Sequence, residues 1–276
     1  MSILVTGATG TIGRPLVEQL AQGGHAVRAL TRRPDAAGLP AGVRVHEGDL
    51  ARPGSLAAAL DGVTALHLIA LAGDDYQPLP DPSAVVEVAV AAGVKRITVL
   101  TGTDDELAVV RAVEASGVDW THVRPLEFMA NKLAWADLVR AEGVVRSGFG
   151  DHVSALVHEA DVAAVLAAAL TGDDHGGRTY TPTGPQALSR RDAAAIIGTV
   201  TGRPVRFEEQ SEADVRAAMQ AQGVQPEVID FVVGYEASPP PEASVVLPVV
   251  EQVTGRPPRR FADWVAEHVE AFLPAR

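Results

Sequence analysis

The chain has 276 residues, 47% of them hydrophobic but only 4% aromatic, with a formal net charge of −12 and no cysteine. Such a length buries a full-sized core of small aliphatic side chains, and the acidic balance excludes an electrostatic grip on nucleic acid, which needs many Lys and Arg on one face. The lack of cysteine excludes disulfides, thiolate metal sites and a cysteine nucleophile.

An apolar run over residues 3–6 is followed by helical periodicity over 15–22 and a second apolar run over 26–31. The alternation continues with strands expected over 43–47, 65–71, 97–100 and 119–123, and helices over 55–60, 83–92 and 106–115. Strands alternating with helices imply a parallel sheet covered on both faces. The expected class is therefore α/β: a Rossmann-type doubly wound parallel sheet with a smaller, mainly helical C-terminal lobe. Gly23-Gly24, Gly62, Gly93 and Gly117 fall where helices must stop or strands must turn.

The longest apolar stretch, residues 63–72, is half the ~20 residues of a membrane helix and contains His67, so it reads as a buried strand. Gly7, Gly10 and Gly13 interrupt the first apolar run, which is unlike an export signal. A cytoplasmic location without membrane contact is expected.

Beyond Pro125 the rhythm changes to a helical stretch over 131–141, a Gly-rich segment and a helix over 159–170. After Gly184 the chain reads as mainly helical, with helix starts at Ser189, Ser211 and Phe261 and a loose Pro239-Pro240-Pro241 linker. The expected organisation is a dinucleotide-binding domain over 1–150, to which 151–184 return, and a helical lobe over 185–276 bordering a substrate cleft. Thr-Gly-Arg-Pro occurs at 201–204 and again at 254–257, each time after a helical segment, and reads as a helix-stop signal rather than a repeat.

The strongest chemical signal is Gly7-Ala8-Thr9-Gly10-Thr11-Ile12-Gly13, placed between the first strand and the first helix. Gly7 permits a tight turn, Gly10 lets backbone approach a pyrophosphate, and Gly13 lets the helix pack close to the sheet with its N-terminal amides facing the phosphates. Thr9, Thr11 and Ile12 share that loop. The second strand ends in Thr31-Arg32-Arg33-Pro34, with no carboxylate until Asp35. An acidic residue there would hold the ribose hydroxyls of NAD, whereas two guanidiniums offer forked donors to the 2′-phosphate of NADP. NADP(H) is expected ahead of NAD(H). Asp49 and Leu50 follow the third strand, where a carboxylate can accept from an adenine amino group or close the strand toward Ser55. Ala70 and Leu71, at the end of the fourth strand, are small and apolar enough to run beneath the cofactor.

With these residues in view, the chain resembles the NmrA-like NAD(P)H-binding group of the atypical short-chain dehydrogenase/reductase superfamily over nearly its whole length. The resemblance rests on the three glycines, Leu30 to Pro34, Gly48-Asp49-Leu50, and the run from Ser116 to Pro125. It continues through Phe128-Met129-Ala130-Asn131, Glu159-Ala160-Asp161-Val162-Ala163 and Thr183-Gly184-Pro185. It implies that Pro125 passes the nicotinamide and that Phe128, Asn131, Trp135 and His158 border the substrate. A helix cap at His158 and plain core at Phe128, Met129 and Trp135 are the competing readings.

The superfamily's usual proton donor, a tyrosine with a lysine four residues later, is missing: Tyr76, Tyr180 and Tyr235 are followed at that spacing by Pro80, Gly184 and Pro239. Thr101 stands where the superfamily often has its serine, and Tyr76 follows the fourth strand. Glu106 and Arg111 stand where relatives carry His, Lys or Glu. Without a dedicated acid, hydride transfer suits acceptors whose reduced form is a stable anion, such as quinones, enones and imines, better than simple ketones. The leading expectation is an NADPH-dependent reductase of a small organic acceptor. The alternatives are a non-catalytic NADP(H) sensor acting through a protein partner, and a non-redox dehydratase or cyclase. Histidine spacing supports no metal site, and Gly-x-Ser-x-Gly is absent.

Overall fold

Seven short strands pair in parallel in the computed structural model, which describes residues 1–73, 77–102 and 107–274. They are β1 (Ser2–Val5), β2 (Ala26–Thr31), β3 (Arg44–Glu47), β4 (Ala65–Ile69), β5 (Arg96–Leu100), β6 (Asp119–Val123) and β7 (Arg178–Tyr180). Their order across the sheet is 3-2-1-4-5-6-7, so the winding direction reverses between β1 and β4. The Rossmann-type expectation is met. Central strands buried on both faces must be apolar on both, and Ile3, Leu4, Val5, Leu66, Leu68, Ile97 and Val99 are all sealed from solvent. The edge strand β3 keeps Arg44 and Glu47 exposed.

The chain divides into two compact units. The first holds Met1–Pro125, Glu159–Pro182 and Val249–Arg256; the second holds Leu126–His158, Thr183–Pro248 and Pro257–Arg276. This differs from the expected boundaries at 150 and 185. The chain leaves the first unit after Pro125 because its next residues pair within the second: Val157 N–H donates to Glu127 O at 2.9 Å, and Met129 N–H to Val157 O at 2.9 Å. Residues 249–256 return to the first unit, where the Val249–Thr254 helix packs on the Glu159–Thr171 helix. Neither connection has a periodicity that a sequence displays.

Within the second unit, Trp264, Phe261 and Phe272 form an aromatic centre packed with Met129, Val139, Val145 and Ile197. Ser189 and Ser211 start helices as expected, each accepting from the backbone three residues on (Asp192 N at 3.0 Å, Asp214 N at 3.2 Å). The Thr-Gly-Arg-Pro segments also stop helices, with Gly202 and Gly255 left-handed at φ +66° and +69°. The helix expected over 131–141 is instead a 3-10 turn, Met129–Trp135, followed by the helix Ala136–Glu142. Arg206–Glu209 pairs in parallel with Val144–Ser147, and Val153–Ser154 pairs antiparallel with Leu188–Ser189. These strands escape a period-2 search because each has four residues or fewer and the Arg206–Glu209 strand is mostly charged.

At the carboxyl ends of β1 and β4, Thr6 Oγ1 donates to His67 O and accepts from Ile69 N–H, both at 2.9 Å. His67 is fully buried, with Nδ1 3.0 Å from Thr98 Oγ1, and burial pushes its pKa down to about 3. The folded state therefore holds a neutral ring where the unfolded chain protonates near 6.5. Since the folded value is the lower one, His67 leaves stability intact above pH 6.5. It removes up to about 1.4 kcal/mol per pH unit as pH falls below that, levelling off near pH 3. Urea midpoints measured from pH 7 to pH 4 should fall more steeply in the wild type than in His67→Gln; parallel curves would show that His67 is not the group responsible.

Candidate functional site

The turn after β1 is shaped by three glycines, each for its own steric reason. Gly7 has φ +59°, a region that side chains disfavour, and a Cβ there would sit 3.0 Å from Ile69 Cδ1. Gly10 N–H donates to Gly7 O at 2.9 Å, closing the turn. A Cβ on Gly13 would lie 2.0 Å from Gly7 O and 2.8 Å from Ala8 Cα. The first residue of the Gly13–Gln22 helix is thus seated on the turn's own backbone, a nearer cause than the helix–sheet packing expected for it. No side chain caps this helix, and its first turn holds no acidic residue. Arg14 N–H donates to Gly10 O and Leu16 N–H to Ile12 O, both at 3.1 Å, and Pro15 has no N–H, so it is the partial positive charge of the helix end that suits a bound anion.

Beside this turn, at the carboxyl ends of β1, β2 and β4, lies a cavity of about 310 Å³. It is lined by Gly7, Thr9, Leu30, Thr31, Arg32, Arg33, Ala36, Gly48, Asp49, Leu50, Ile69, Leu71, Ala72 and Gly73. Its position at the reversal of winding is where open α/β sheets bind ligands. Arg32 and Arg33 are exposed and follow β2 directly. Gly48 N–H donates to Thr31 O at 3.1 Å, and a Cβ on Gly48 would stand 2.6 Å from Leu30 Cδ1, so a larger residue there would have to turn the Leu30 side chain aside. Asp49 both faces the cavity and closes its own turn. Its Oδ1 accepts from Ala51 N–H at 3.0 Å, its Oδ2 from Arg52 Nε at 3.3 Å, and its own N–H donates to Ser55 Oγ at 3.0 Å.

Among the residues singled out for cofactor binding, Gly7, Thr9, Arg32, Arg33, Asp49, Leu50 and Leu71 meet around this one cavity. Gly10, Thr11, Ile12 and Gly13 form the adjoining turn and helix start. Ala70, Thr101 and Pro125 are buried just past the ends of β4, β5 and β6, outside the cavity lining, with Thr101 N–H donating to Val123 O at 3.1 Å. Ala36, Ala72 and Gly73 join the lining with no motif to announce them. Tyr76 and Glu106 lie outside the described residues.

The expected substrate-bordering residues Phe128, Asn131, Trp135 and His158 belong to the second unit. Phe128 is extended and bridges in parallel to Val157, and Asn131 N–H donates back to Phe128 O at 3.2 Å. Asn131 is exposed, whereas Phe128 and Trp135 are half-buried. His158 is buried, with Nε2 3.2 Å from Glu267 Oε2, and it follows the Phe128–Val157 bridge. In the same segment the sequence gives no warning of a part-buried ion pair, Lys132 Nζ to Glu127 Oε1 at 2.6 Å, with Nζ also 4.8 Å from the Trp135 ring centre. A spacing of five residues is not one at which helical side chains meet. Elsewhere in this unit Glu236 receives both His152 Nδ1, at 2.9 Å, and Arg190 Nη2, and the bond to Glu236 raises the His152 pKa. Among the described residues, no three His, Asp or Glu side chains gather to hold a metal ion, and no helix is long and apolar enough to cross a membrane.

Residues 7–173 match a family model described as NAD(P)H-binding. A (4-alkanoyl-5-oxo-2,5-dihydrofuran-3-yl)methyl phosphate reductase of Streptomyces griseus is 42% identical, the alignment covering 99% of each chain. An NAD(P)H azoreductase of Xenophilus azovorans is 35% identical over 98% of this chain and 99% of its own. Among solved structures, the NADPH complex of an NADPH-dependent quinone oxidoreductase from Escherichia coli superposes with a TM-score of 0.81. It is 26% identical and covers 97% of this chain and 99% of its own.

Proposed function

The chain belongs to the NAD(P)H-binding family, in the NmrA-like group of atypical short-chain dehydrogenases/reductases, and on that premise we propose which acceptor it reduces and which residues hold its cofactor. It is an NADP(H)-binding oxidoreductase of small organic acceptors. The observation that carries the cofactor assignment is that Arg32 and Arg33 line the same cavity as the glycine turn. In our reading the Gly7–Gly13 turn and the helix behind it take the pyrophosphate, Arg32 and Arg33 take the 2′-phosphate, and Asp49 accepts from the adenine. Ile69 and Leu71 form an apolar floor. The turn itself depends on glycine, because a side chain at position 13 would displace it. Bound there, NADPH supplies a hydride. Ala70, Thr101 and Pro125, buried at the strand ends, would bound the nicotinamide side, while Phe128, Asn131, Trp135 and His158 would serve the acceptor. A cytoplasmic location follows from the need for a supply of reduced cofactor.

For the acceptor we propose a conjugated enone in which one alkene carbon carries two carbonyl groups. Two observations support this class. The Streptomyces griseus relative is named for reducing a dihydrofuranone in which an alkanoyl group and the ring carbonyl share one alkene carbon. In addition, the sequence pairs no tyrosine with a lysine four residues later. Hydride delivered to the other alkene carbon leaves the electron pair delocalised over two carbonyl oxygens, and that anion takes its proton from water without a dedicated acid. A simple ketone would place the charge on one alkoxide oxygen and need an acid during transfer. The test is NADPH oxidation followed by absorbance with purified protein and a panel: acyl butenolides with and without a phosphate, quinones, azo dyes, imines and simple ketones. The acyl butenolides should give the highest kcat/KM and the simple ketones the lowest. Faster turnover of simple ketones would sink the enone assignment, and tight NADPH binding without turnover of any acceptor would favour a sensing role.

A further inference from the structure

Arg14 has an unusual position for a cation. It is the second residue of the Gly13–Gln22 helix, at the end where the helix dipole is positive and where no acidic side chain offsets it. Its guanidinium reaches across more than twenty residues of chain, donating from Nη1 to Gly38 O at 2.7 Å and from Nη2 to Ala37 O at 3.1 Å. Those two carbonyls close the segment that begins with Arg32 and Arg33. From Arg33 the chain passes through the 3-10 turn Pro34–Ala36, with Ala36 N–H donating to Arg33 O at 3.3 Å and Ala37 N–H to Pro34 O at 3.1 Å. The near end is tied as well, Arg33 N–H donating to Thr31 Oγ1 at 3.2 Å. Ala36 faces the cavity, Ala37 is buried, and Gly38 is left-handed at φ +54°. The loop bearing both arginines is thus held at its strand end by Thr31 and at its far end by the two donors of Arg14.

We propose that Arg14 is a positioning residue for cofactor choice: its fork fixes the Arg32–Gly38 loop so that Arg32 and Arg33 stay aimed at a 2′-phosphate. Arg14 itself does not line the cavity. A planar fork satisfies two adjacent carbonyls in a fixed geometry, which a lysine can do only as a single mobile point charge. Helix start and loop are thereby coupled, so the phosphate-reading loop is set in place by the same helix whose N-terminus faces the pyrophosphate subsite.

The proposal rests on the assignment of Arg32 and Arg33 to the 2′-phosphate, and the experiment separates the two. Dissociation constants of NADPH, NADH and adenosine 2′-monophosphate are measured by fluorescence titration or displacement for the wild type, Arg14→Ala and Arg14→Lys, with thermal melts of each. For Arg14→Ala we expect NADPH and adenosine 2′-monophosphate to bind about tenfold more weakly, NADH to change by less than about twofold, and Arg14→Lys to fall between. With NADPH as the varied substrate, KM should rise while kcat is kept. Equal weakening of NADPH and NADH, or a fall in kcat alone, would mean that Arg14 supports the turn or the fold rather than the loop, and would overturn the proposal. So would an unchanged NADPH preference in Arg14→Ala. A wild type that binds NADPH and NADH equally would instead overturn the phosphate assignment on which the proposal stands.

Discussion

Gly13→Ala is expected to weaken NADPH binding by about 100-fold or more and to lower the melting temperature. The added Cβ would stand 2.0 Å from Gly7 O and 2.7 Å from Gly7 C, far inside contact distance, and the obstructing atoms are backbone rather than a side chain that can rotate away. Either the helix start or the Gly7–Gly10 turn must shift by an ångström or more. Overpacking of this kind costs about 1–3 kcal/mol or more in stability. The same shift breaks the alignment between the helix amides and the turn, and each ~1.4 kcal/mol lost there is another factor of ten in affinity. Gly10→Ala provides the contrast. Its Cβ would lie 3.2 Å from Gly7 O, a contact relieved by a few tenths of an ångström, so the fold should tolerate it while a ligand approaching the backbone is obstructed. Fluorescence titration with NADPH and a thermal melt of each variant check both claims. Native NADPH affinity in Gly13→Ala would place the pyrophosphate away from this turn.

Replacing Arg32 and Arg33 together by Ala is expected to weaken NADPH by about 100-fold while leaving NADH within a few-fold. A hydrogen bond to a charged group contributes roughly 1.5–3 kcal/mol, and an exposed pair shares one phosphate imperfectly, so a combined loss of about 3 kcal/mol is the reasonable estimate. Because both guanidiniums are exposed, the NADPH preference should also shrink as salt is raised, and more so in the wild type than in the double variant. NADH lacks the 2′-phosphate and should feel both changes much less. The measurement is kcat/KM for both cofactors at two salt concentrations, with one acceptor held at saturation. Equal losses for the two cofactors would show that the arginines act on a part the cofactors share, and no loss would leave them as solvated surface charges.

The cofactor half of the molecule was legible because its signals are local. A glycine turn between a strand and a helix, and two arginines at the end of the next strand, need only neighbouring residues to be understood. Ala36, Ala72 and Gly73 were not legible, because they reach the cavity through loop paths that no motif encodes. The same holds for the tie from Arg14 to Ala37 and Gly38, whose 23- and 24-residue separations follow no periodicity. Asp49 had two readings in the sequence, an acceptor for the adenine amino group or the close of the strand; its carboxylate accepts from Ala51 and Arg52 within the turn, as the second expects, and it also lines the cavity in which the first is proposed.

By itself, then, the sequence determined the parallel sheet and the glycine turn, and it pointed to the loop proposed to make the cofactor choice, since alternating apolar runs and steric exclusion of a Cβ act over a few residues. Tertiary structure alone decided that the chain leaves the first unit at Pro125, that residues 249–256 return to it, and that Lys132 finds Glu127 and His158 finds Glu267. Those outcomes depend on which buried polar group meets which partner after the layers have packed. That is a matter of three-dimensional proximity, and a one-dimensional pattern does not contain it.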